Sequence, residues 1–203
     1  MQINKMERFS TLESFSDQCW RLLLNGSLKK NDPLRTPVIG TSFENMAHLR
    51  TVVLRKVDII QRTLMFQTDI RSAKIQHLNL HPQLTCLFYH PKKQLQIITE
   101  GTVQLHHQDE LAKMYWERIP IQGRKTYAAL QAPGTPVDTA TDGLPDFWKD
   151  EMDLSKTDYA FANFVVVVCQ VEKMEGLLLH SDGHQRAAFA WTDDNWKSRW
   201  LIP

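Results

Sequence analysis

Two polar clusters in the first half of the chain combine basic side chains with features that suit an anionic ligand. The first is the segment R-T-V-V-L-R, in which Arg50 and Arg55 close the two ends of an apolar, strand-like run. Because these arginines are five positions apart, they face opposite sides of a regular strand, and one must point to the interior, an interface or a ligand. A solvated charge at a sheet edge is the alternative.

The second cluster is T-D-I-R-S-A-K, from Thr68 to Lys74, where a predicted strand ends and a predicted helix begins. Backbone N–H groups at a helix N-terminus, surrounded by serine, threonine, arginine and lysine side chains, form a suitable phosphate site. The alternative is a capped helix that carries ordinary surface charges.

The histidines form a third, weaker signal. His184 and Arg186 stand in H-Q-R just before the last predicted strand, where an ordinary polar turn is the alternative. His106-His107 point to opposite faces of a strand, and no carboxylate or cysteine at ligand spacing accompanies His77 and His81. We therefore expect no metal site.

Composition excludes several classes of protein. The 203 residues carry 24 basic and 23 acidic side chains, a net charge of +1, which argues against a dedicated nucleic-acid binder. The longest apolar run, Phe164–Cys169, is far shorter than a membrane span, and no secretory signal is visible at the N-terminus. Three widely spaced cysteines, Cys19, Cys86 and Cys169, indicate reduced, buried thiols and a cytoplasmic protein.

Periodicity then predicts the elements that position these clusters. An amphipathic helix over residues 8–25, capped by Ser10 or Thr11 and ended by Gly26, precedes a polar loop, so residues 1–36 form an N-terminal helix and loop. Further helices are predicted over 73–80, 109–118 and 123–130. Strands are predicted over 37–42, 51–57, 64–68, 84–89, 95–105, 161–174, 177–180 and 187–191.

The remaining segments read as connections within a single domain, residues 1–203. Residues 132–158 are predicted as an exposed loop region, and residues 196–203 as a tail. Gly101, inside a long strand, indicates a bulge or a close approach of another backbone. The dominance of strands, with helices at intervals, predicts a mainly β protein with helical decoration.

Five short motifs occur in one order: R-T-V-V-L-R, T-D-x-R-S-x-K, Q-x-x-x-x-G, Y-x-x-x-Q-A-P-G and H-x-R. With this order and spacing, the chain from about Pro37 to Pro203 resembles the pyridoxamine 5′-phosphate oxidase-like FMN-binding split barrels. The resemblance implies a six-stranded antiparallel split β-barrel. It also implies a homodimer that holds FMN at its interface and acts on a small molecule.

The resemblance also implies roles for individual residues. Ser72 and Lys74 would bind the FMN phosphate, Gln96 would reach the flavin ring, and Gln131, Ala132 and Arg186 would come from the second subunit. The cofactor-binding residues implied in this way are Arg50, Thr51, Val52, Val53, Leu54, Arg55, Gln67, Thr68, Arg71, Ser72, Lys74, Gln96, Gln131, Ala132 and Arg186. Arg55, Arg118 and His184 would face the substrate, and His184 is the candidate to orient it or to move a proton.

The match departs from the family pattern where the substrate would bind. The family's tyrosine and serine fall on Met114 and Gln122, and an arginine of its closing motif falls on Asp182. Its flavin-stacking tryptophan falls on Gly176, and an arginine beside the phosphate lysine falls on Ala73, for which Arg71 could compensate. Losing an arginine–phosphate pair and adding a carboxylate disfavours a phosphorylated substrate.

The sequence therefore predicts an FMN-dependent oxidoreductase whose substrate is unidentified, with hydride transfer between a small molecule and flavin N5. A non-catalytic flavin-binding or flavin-sequestering protein and an NAD(P)H-dependent flavin reductase are the alternatives. Haem-handling and deazaflavin-dependent relatives on the same barrel have less support from these residues.

Overall fold

The computed structural model describes residues 7–149 and 153–203, which form two compact units. The first unit contains the described part of Met1–Phe66 together with His81–Gln104 and Val168–Pro203. The second unit contains Gln67–Leu80 and the described part of Leu105–Val167. The predicted segments 1–36 and 132–158 each include residues, 1–6 and 150–152, that lie outside the described part.

The chain is mainly antiparallel β sheet with helices. The α-helices are α1 (Leu12–Leu28), α2 (Ala73–Leu80), α3 (Glu110–Trp116) and α4 (Ile121–Arg124). Short 3₁₀ segments cover Pro33–Arg35, Lys125–Tyr127, Asp146–Lys149 and Ser155–Asn163. The strands are β1 (Val38–Phe43), β2 (Met46–Thr51), β3 (Lys56–Asp58), β4 (Thr63–Asp69), β5 (Gln83–His90), β6 (Leu95–His106), β7 (Phe164–Leu178), β8 (Gln185–Thr192) and β9 (Asn195–Leu201).

These strands form one sheet in the order β2-β1-β5-β6-β7-β4-β3, and β8 pairs with both β7 and β9. The described residues thus contain nine strands, so the count of six that the resemblance implies is wrong, as is the count of eight predicted from periodicity. Two segments account for much of the difference. Residues 46–58 give two short strands, β2 and β3, and the predicted tail is strand β9, which pairs with β8 from Thr192–Asn195 to Arg186–Leu201.

Tight turns set the register of the hairpins. Glu44 and Asn45 join β1 to β2 with φ of 48° and 61°, and Asp193 and Asp194 join β8 to β9 with φ of 52° and 57°. Two consecutive left-handed residues match the right-handed twist of the flanking strands, and Asn and Asp tolerate this conformation.

Helix α1 covers Leu12–Leu28, so it begins and ends later than the predicted 8–25, and Thr11 is confirmed as its cap. Thr11 caps it, because its Oγ1 accepts a hydrogen bond from the Ser14 N–H at 3.1 Å. The helix does not end at Gly26. A Cβ on Gly26 would lie 2.9 Å from the Leu34 Cβ, so the glycine permits a close approach and the helix continues to Leu28. Phe15, Cys19 and Leu23 are fully buried on its inner face.

The first unit has a closely packed core in which Gly101 is indispensable. A Cβ on Gly101 of β6 would lie 1.9 Å from the Gln170 carbonyl oxygen of β7, so only glycine allows the two backbones to approach this closely. The sequence prediction of a close approach is confirmed. The three cysteines of this unit are free and buried. Burial raises the pKa of the Cys86 thiol to about 12, and it also raises the pKa values of Cys19 and Cys169.

The second unit is organised by aromatic rings and a buried arginine. Tyr127 and Phe164 meet edge to face, with ring centroids 5.0 Å apart, and Trp116 packs against both rings. Arg124 is 3% exposed and donates to Thr157 Oγ1 and Asp158 Oδ1, each at 2.8 Å. Its guanidinium also lies over the Trp116 ring at 4.4 Å. No sequence pattern distinguished this arginine from a surface charge.

The segment after Ala132 is only partly an exposed loop. Residues 133–142 are exposed, whereas Trp148 is buried and donates from Nε1 to Tyr159 Oη at 2.8 Å. Tyr159 in turn donates to the Ala128 carbonyl. This chain of bonds explains why the 3₁₀ segments around Trp148 and Tyr159 pack within the second unit. Within residues 7–149 and 153–203, no helix has the length and apolar character needed to cross a membrane.

Candidate functional site

The polar cluster around Lys74, which the sequence predicts as a phosphate site, is held together by hydrogen bonds in the second unit. Lys74 Nζ donates to Thr68 Oγ1 and to Ser72 Oγ, both at 3.0 Å, and Ser72 Oγ donates to the Asp69 carbonyl at 2.8 Å. Ser72 is 5% exposed, and helix α2 begins at the next residue. An ammonium group, the Thr68 hydroxyl and the N–H groups of a helix N-terminus are donors that suit a phosphate, whereas the single Ser72 hydroxyl proton is donated to the Asp69 carbonyl.

Arg71, in the same turn, is engaged by protein groups. Its Nε and Nη2 donate to the two oxygens of Asp69 at 3.0 and 2.7 Å, while Nη2 and Nη1 donate to the carbonyls of Ala129 and Leu130 at 3.0 and 3.2 Å. Four of its five N–H groups are therefore used. The hydrogen bond to Asp69 raises the pKa of the Arg71 guanidinium. Arg71 thus has little capacity left to replace the arginine that the family carries at Ala73.

The same contacts tie the loop of Gln131 and Ala132 to this turn. Ala132 accepts two hydrogen bonds from Thr135, at 3.2 Å from its N–H and 2.8 Å from its hydroxyl, and Gly134 has a φ of +90°. Gln131 is exposed and immediately follows Leu130, which Arg71 holds. Within the second unit, Arg71 therefore brings Gln131 and Ala132, which were predicted to bind the cofactor, close to the polar cluster around Lys74. Gln67 stands one residue before Thr68 on β4.

In the first unit, the arginine motif has a different backbone from the one predicted. Strand β2 ends at Thr51, and residues 52–55 are not in a regular strand. The Val52 and Leu54 N–H groups donate to the Pro37 and Arg35 carbonyls, in continuation of the β1–β2 register, whereas the Arg55 N–H donates to the Met65 carbonyl of β4. The expected placement of Arg50 and Arg55 on opposite faces of one strand is therefore wrong.

Arg50 and Arg55 have different surroundings. Arg50 Nη1 donates to Thr41 Oγ1 at 2.6 Å, and partial burial lowers the pKa of its guanidinium. Arg55 is exposed, and its backbone N–H is bonded to Met65. Between them, Leu54 is fully buried and anchors the segment. Arg50 is thus the positioned member of the pair, and Arg55 is a freely accessible cation.

Gln96 and Arg186 lie on the outward face of the sheet in the first unit. A cleft of about 490 Å³ opens on this face, within the size range of ligand sites. Its lining comprises Ile98, Glu100, Lys173, Met174, Glu175, Arg186, Ala188, Phe189, Ala190, Lys197, Ser198 and Arg199. Gln96 is two positions before Ile98 on β6 and so shares its face. Glu175, which contacts Arg186 in this cleft, was missed by the sequence reasoning.

His184 is held in a turn. The His180 N–H donates to His184 Nδ1 at 3.1 Å, and the Asp182 N–H donates to His180 Nδ1 at 3.1 Å. With Nδ1 used as an acceptor, a neutral His184 carries its proton on Nε2. His184 is exposed, so this N–H can donate to a ligand, but its lone pair at Nδ1 is not available as a base.

The substrate-side residues of the second unit do not form one helical face. Met114 lies in α3 and Gln122 in α4, and Arg118 lies between the two helices. These three residues are four positions apart, a spacing that would place them on one face of a continuous helix. Pro120 caps α4 and interrupts that helix. Arg118 is exposed, and its backbone N–H donates to the Tyr115 carbonyl at 3.2 Å.

The packing around Gly176 leaves no room for the tryptophan that the family carries at this position. A Cβ at this position would lie 2.8 Å from Phe15 Cε2 and 3.2 Å from Cys19 Sγ. Helix α1 therefore presses directly on strand β7 here. No larger side chain fits without moving Phe15, which stacks on Phe9 at 4.3 Å and meets Phe189 edge to face.

Comparison with known proteins supports the resemblance in part of the chain. Residues 17–107 match the family model described as "Pyridoxamine 5'-phosphate oxidase, FMN-binding domain". A pyridoxine/pyridoxamine 5′-phosphate oxidase of Caulobacter vibrioides is 34% identical over 79 residues, which cover 39% of this chain and 35% of that protein. The alignment thus spans about a third of the length of this curated relative.

Solved structures show the fold. A pyridoxamine 5′-phosphate oxidase-related, FMN-binding protein of Nostoc punctiforme has a TM-score of 0.72 and 19% identity, over 98% of this chain and all of that one. PhzG of Burkholderia lata, solved with tetrahydrophenazine-1-carboxylic acid, has a TM-score of 0.71 and 16% identity, over 98% of this chain and 99% of that one. The chain shares their fold.

The range of the family match separates the predicted residues into two groups. Arg50, Arg55 and the segment Gln67–Lys74 lie within residues 17–107, as does Gln96. Arg118, Gln131, His184 and Arg186 lie beyond it. The resemblance is confirmed where most of the predicted cofactor residues stand, and FMN is the cofactor that the matching model names.

Proposed function

We propose that this protein is an FMN-dependent oxidoreductase that acts on a small molecule other than a vitamin B6 phosphate. The observation that carries the FMN assignment is the triad of Lys74, Thr68 and Ser72, in which the ammonium lies 3.0 Å from both hydroxyl oxygens. These groups would hold the FMN phosphate, with charge-assisted hydrogen bonds from Lys74. The bound flavin would supply hydride transfer, which no side chain of the protein can perform.

The residues of the substrate side support a different substrate from that of the oxidase. Asp182 stands where the family has an arginine, and Met114, Arg118 and Gln122 do not share a helical face. His184 can only donate a hydrogen bond through Nε2 when neutral, because Nδ1 accepts from the His180 N–H. Arg55 and Arg118 remain as exposed cations. This set is poor in phosphate ligands and suits a smaller or less charged substrate.

We further propose that the chain forms a homodimer of split barrels through the outward sheet face of the first unit. Leu49, Leu87 and Tyr89 are 69%, 37% and 46% exposed. Cross-strand pairing places Leu49 opposite Gly40, and Leu87 opposite both Val38 and Ile98, so these residues share one face. Exposed apolar faces of this kind are typical of association surfaces. Gln96, opposite Tyr89, belongs to the same face.

The FMN assignment is tested by cofactor content and affinity. Purified protein should be yellow and release about one FMN per chain on denaturation, and Lys74→Ala should weaken FMN binding by about 1.5–3 kcal/mol, tenfold or more in Kd. Lys113→Ala removes an exposed lysine of α3 in the same unit and is the matched control. A colourless wild-type protein that does not take up added FMN would refute the assignment.

The oxidoreductase assignment is tested by turnover of the FMN-loaded protein. Anaerobic bleaching of the flavin should be compared for pyridoxamine phosphate, pyridoxine phosphate, NADH and NADPH. We expect the two B6 phosphates to bleach the flavin poorly. Bleaching by a nicotinamide would assign a flavin reductase. A loaded protein that no reductant bleaches at a useful rate would instead indicate a flavin-sequestering role, the second candidate.

The dimer is tested by sedimentation and by FMN affinity together. Leu49→Asp or Leu87→Asp should produce monomers and weaken FMN binding if both subunits complete the site. Ile60→Asp is the control, because Ile60 is 88% exposed on the turn between β3 and β4 and does not belong to the cross-strand set of Leu49, Leu87 and Tyr89. A monomeric wild-type protein that binds FMN tightly would contradict the two-chain site.

The three free, buried cysteines agree with a reducing compartment, and we propose a cytoplasmic location.

A further inference from the structure

Glu175 holds Arg186 from one side within the cleft of the first unit. Arg186 Nε donates to Glu175 Oε1 at 2.9 Å, and Nη2 lies 2.9 Å from the same oxygen. The two side chains are 37% and 24% exposed, so the pair is neither fully solvated nor buried. Both residues line the cleft of about 490 Å³.

The strand register explains why these two side chains meet. In the β7–β8 pair, Leu177 is opposite Arg186 and Glu175 is opposite Ala188, so Glu175 and Arg186 are diagonal neighbours on one face. The small Ala188 leaves space for the arginine to lie across the strands. Arg186 therefore reaches Glu175 without leaving the face that forms the cleft.

The contact uses one edge of the guanidinium and leaves the other free. Of its five N–H groups, one on Nε and one on Nη2 are directed at Glu175 Oε1. The remaining three, on Nη1 and Nη2, are available to a ligand. The other acidic lining residue, Glu100, is instead paired with Lys173 at 3.4 Å.

We propose that Glu175 is a positioning residue, which fixes the guanidinium of Arg186 so that its free edge is presented to the flavin. The inference rests on the proposed function, because Arg186 is taken to be a cofactor ligand. A free arginine side chain loses rotamer freedom when it binds a ligand, and prior fixation by Glu175 removes part of that cost. Glu175 also offsets the charge of Arg186 while the site is empty of ligand.

A double-mutant cycle tests this role, with FMN Kd measured by fluorescence quenching on the apoprotein. Arg186→Ala and Glu175→Ala should each raise the Kd roughly tenfold. Combining the two changes should raise it no further than Arg186→Ala alone, because Glu175 acts only through Arg186. Glu175→Gln keeps an oxygen that can accept from the guanidinium and should give an intermediate Kd. Glu100→Ala removes a carboxylate from the same cleft and should leave the Kd within about twofold.

The outcomes separate the two proposals. If wild-type protein binds FMN and Glu175→Ala binds it equally well, Glu175 does not position Arg186. An additive cycle would also overturn the inference, since it would give Glu175 an effect independent of Arg186. If wild-type protein fails to bind FMN, the proposed function itself is refuted and the inference with it. Should Glu175→Ala fail to fold, the cycle is run with Glu175→Gln, and an unchanged Kd there overturns the inference.

Discussion

The guanidinium of Arg71 forms a two-point ion pair with the buried carboxylate of Asp69, two residues earlier in the chain. Nε and Nη2 lie 3.0 and 2.7 Å from the two carboxylate oxygens, and Asp69 is 5% exposed. The same guanidinium binds the carbonyls of Ala129 and Leu130. Arg71 therefore links the turn that carries Ser72 and Lys74 to the loop that carries Gln131.

We expect Arg71→Ala to destabilise the protein by about 1–3 kcal/mol, because it leaves the Asp69 carboxylate without its partner in a buried position. Arg71→Lys should recover little, since lysine cannot reproduce the bidentate geometry. Urea unfolding of the apoprotein measures both changes. Arg118→Ala, an exposed arginine of the same unit, is the control. A free energy of unfolding within about 0.5 kcal/mol of wild type for Arg71→Ala would contradict this role of Arg71.

Gly176 should tolerate no side chain. Gly176→Ala places a Cβ 2.8 Å from the ring of Phe15, which is fully buried, and should cost about 1–3 kcal/mol of stability. Shortening the ring in the double variant Phe15→Leu with Gly176→Ala should make the cost of the added methyl smaller than in the wild-type background. Gly40→Ala is the matched control, because the nearest atom to its Cβ would be the tip of the exposed Leu49 side chain at 3.2 Å, and the Thr85 carbonyl oxygen would lie at an ordinary contact distance of 3.9 Å.

The arginine and the histidine of the predicted site should differ in their effect on the cofactor. Arg50 is fixed by its 2.6 Å bond to Thr41, whereas His184 is exposed in a turn. We expect Arg50→Ala to weaken FMN retention at least tenfold and His184→Ala to change it less than threefold. Equilibrium dialysis of both variants measures this. Equal effects would show that the two roles are wrongly assigned.

Stability should fall in alkaline solution because of the buried thiols. The pKa of Cys86 is raised to about 12 in the folded protein from an ordinary value of 9.0. Between these values the unfolded thiol loses its proton and the folded thiol keeps it, so the unfolded state is favoured as the pH rises. Each such thiol contributes about 1.4 kcal/mol of lost stability per pH unit. Urea unfolding between pH 8 and pH 10.5 should show a shallower decline for Cys86→Ala than for wild type.

Local pattern was sufficient to predict much of the fold. The bounds of α2 at Ala73 and Leu80 match the prediction, because His81-Pro82 stops the helix within the sequence itself. The core cysteines and the close approach at Gly101 were also predicted. In contrast, residues 52–55 were predicted as part of one strand, but their N–H groups change partner between Leu54, which binds Arg35, and Arg55, which binds Met65. Apolar composition does not reveal such partners.

The candidate site shows the same limit. Lys74, Ser72 and Thr68 are close in sequence, so one short motif predicts their cluster. Glu175 and Arg186 are eleven residues apart, and their contact depends on the β7–β8 register. The predicted strands 161–174, 177–180 and 187–191 contain neither residue, because the prediction broke the continuous strand β7 at Glu175 and started β8 after Arg186. The contacts of Arg71 with the Ala129 and Leu130 carbonyls could not be predicted, because they depend on the path of the loop that carries these residues.

We expect the side chain of Gln185 to hold residues 7–11, the segment before α1, in place. The Phe9 N–H donates to Gln185 Oε1 at 2.8 Å, and Gln185 Nε2 donates to the Phe9 carbonyl at 2.9 Å, so the side chain closes a two-bond clasp. Gln185 stands between His184 and Arg186, and Arg8 also donates to the Asp182 carbonyl at 3.2 Å. Gln185→Ala should therefore raise amide hydrogen exchange in residues 7–11 by at least tenfold while the core strands stay protected. Gln170→Ala, which removes a comparable bond to the Gln61 carbonyl at 2.7 Å, should leave exchange in residues 7–11 unchanged. Protection of Phe9 that survives Gln185→Ala would mean that the stacking of Phe9 on Phe15, and not the clasp, holds this segment.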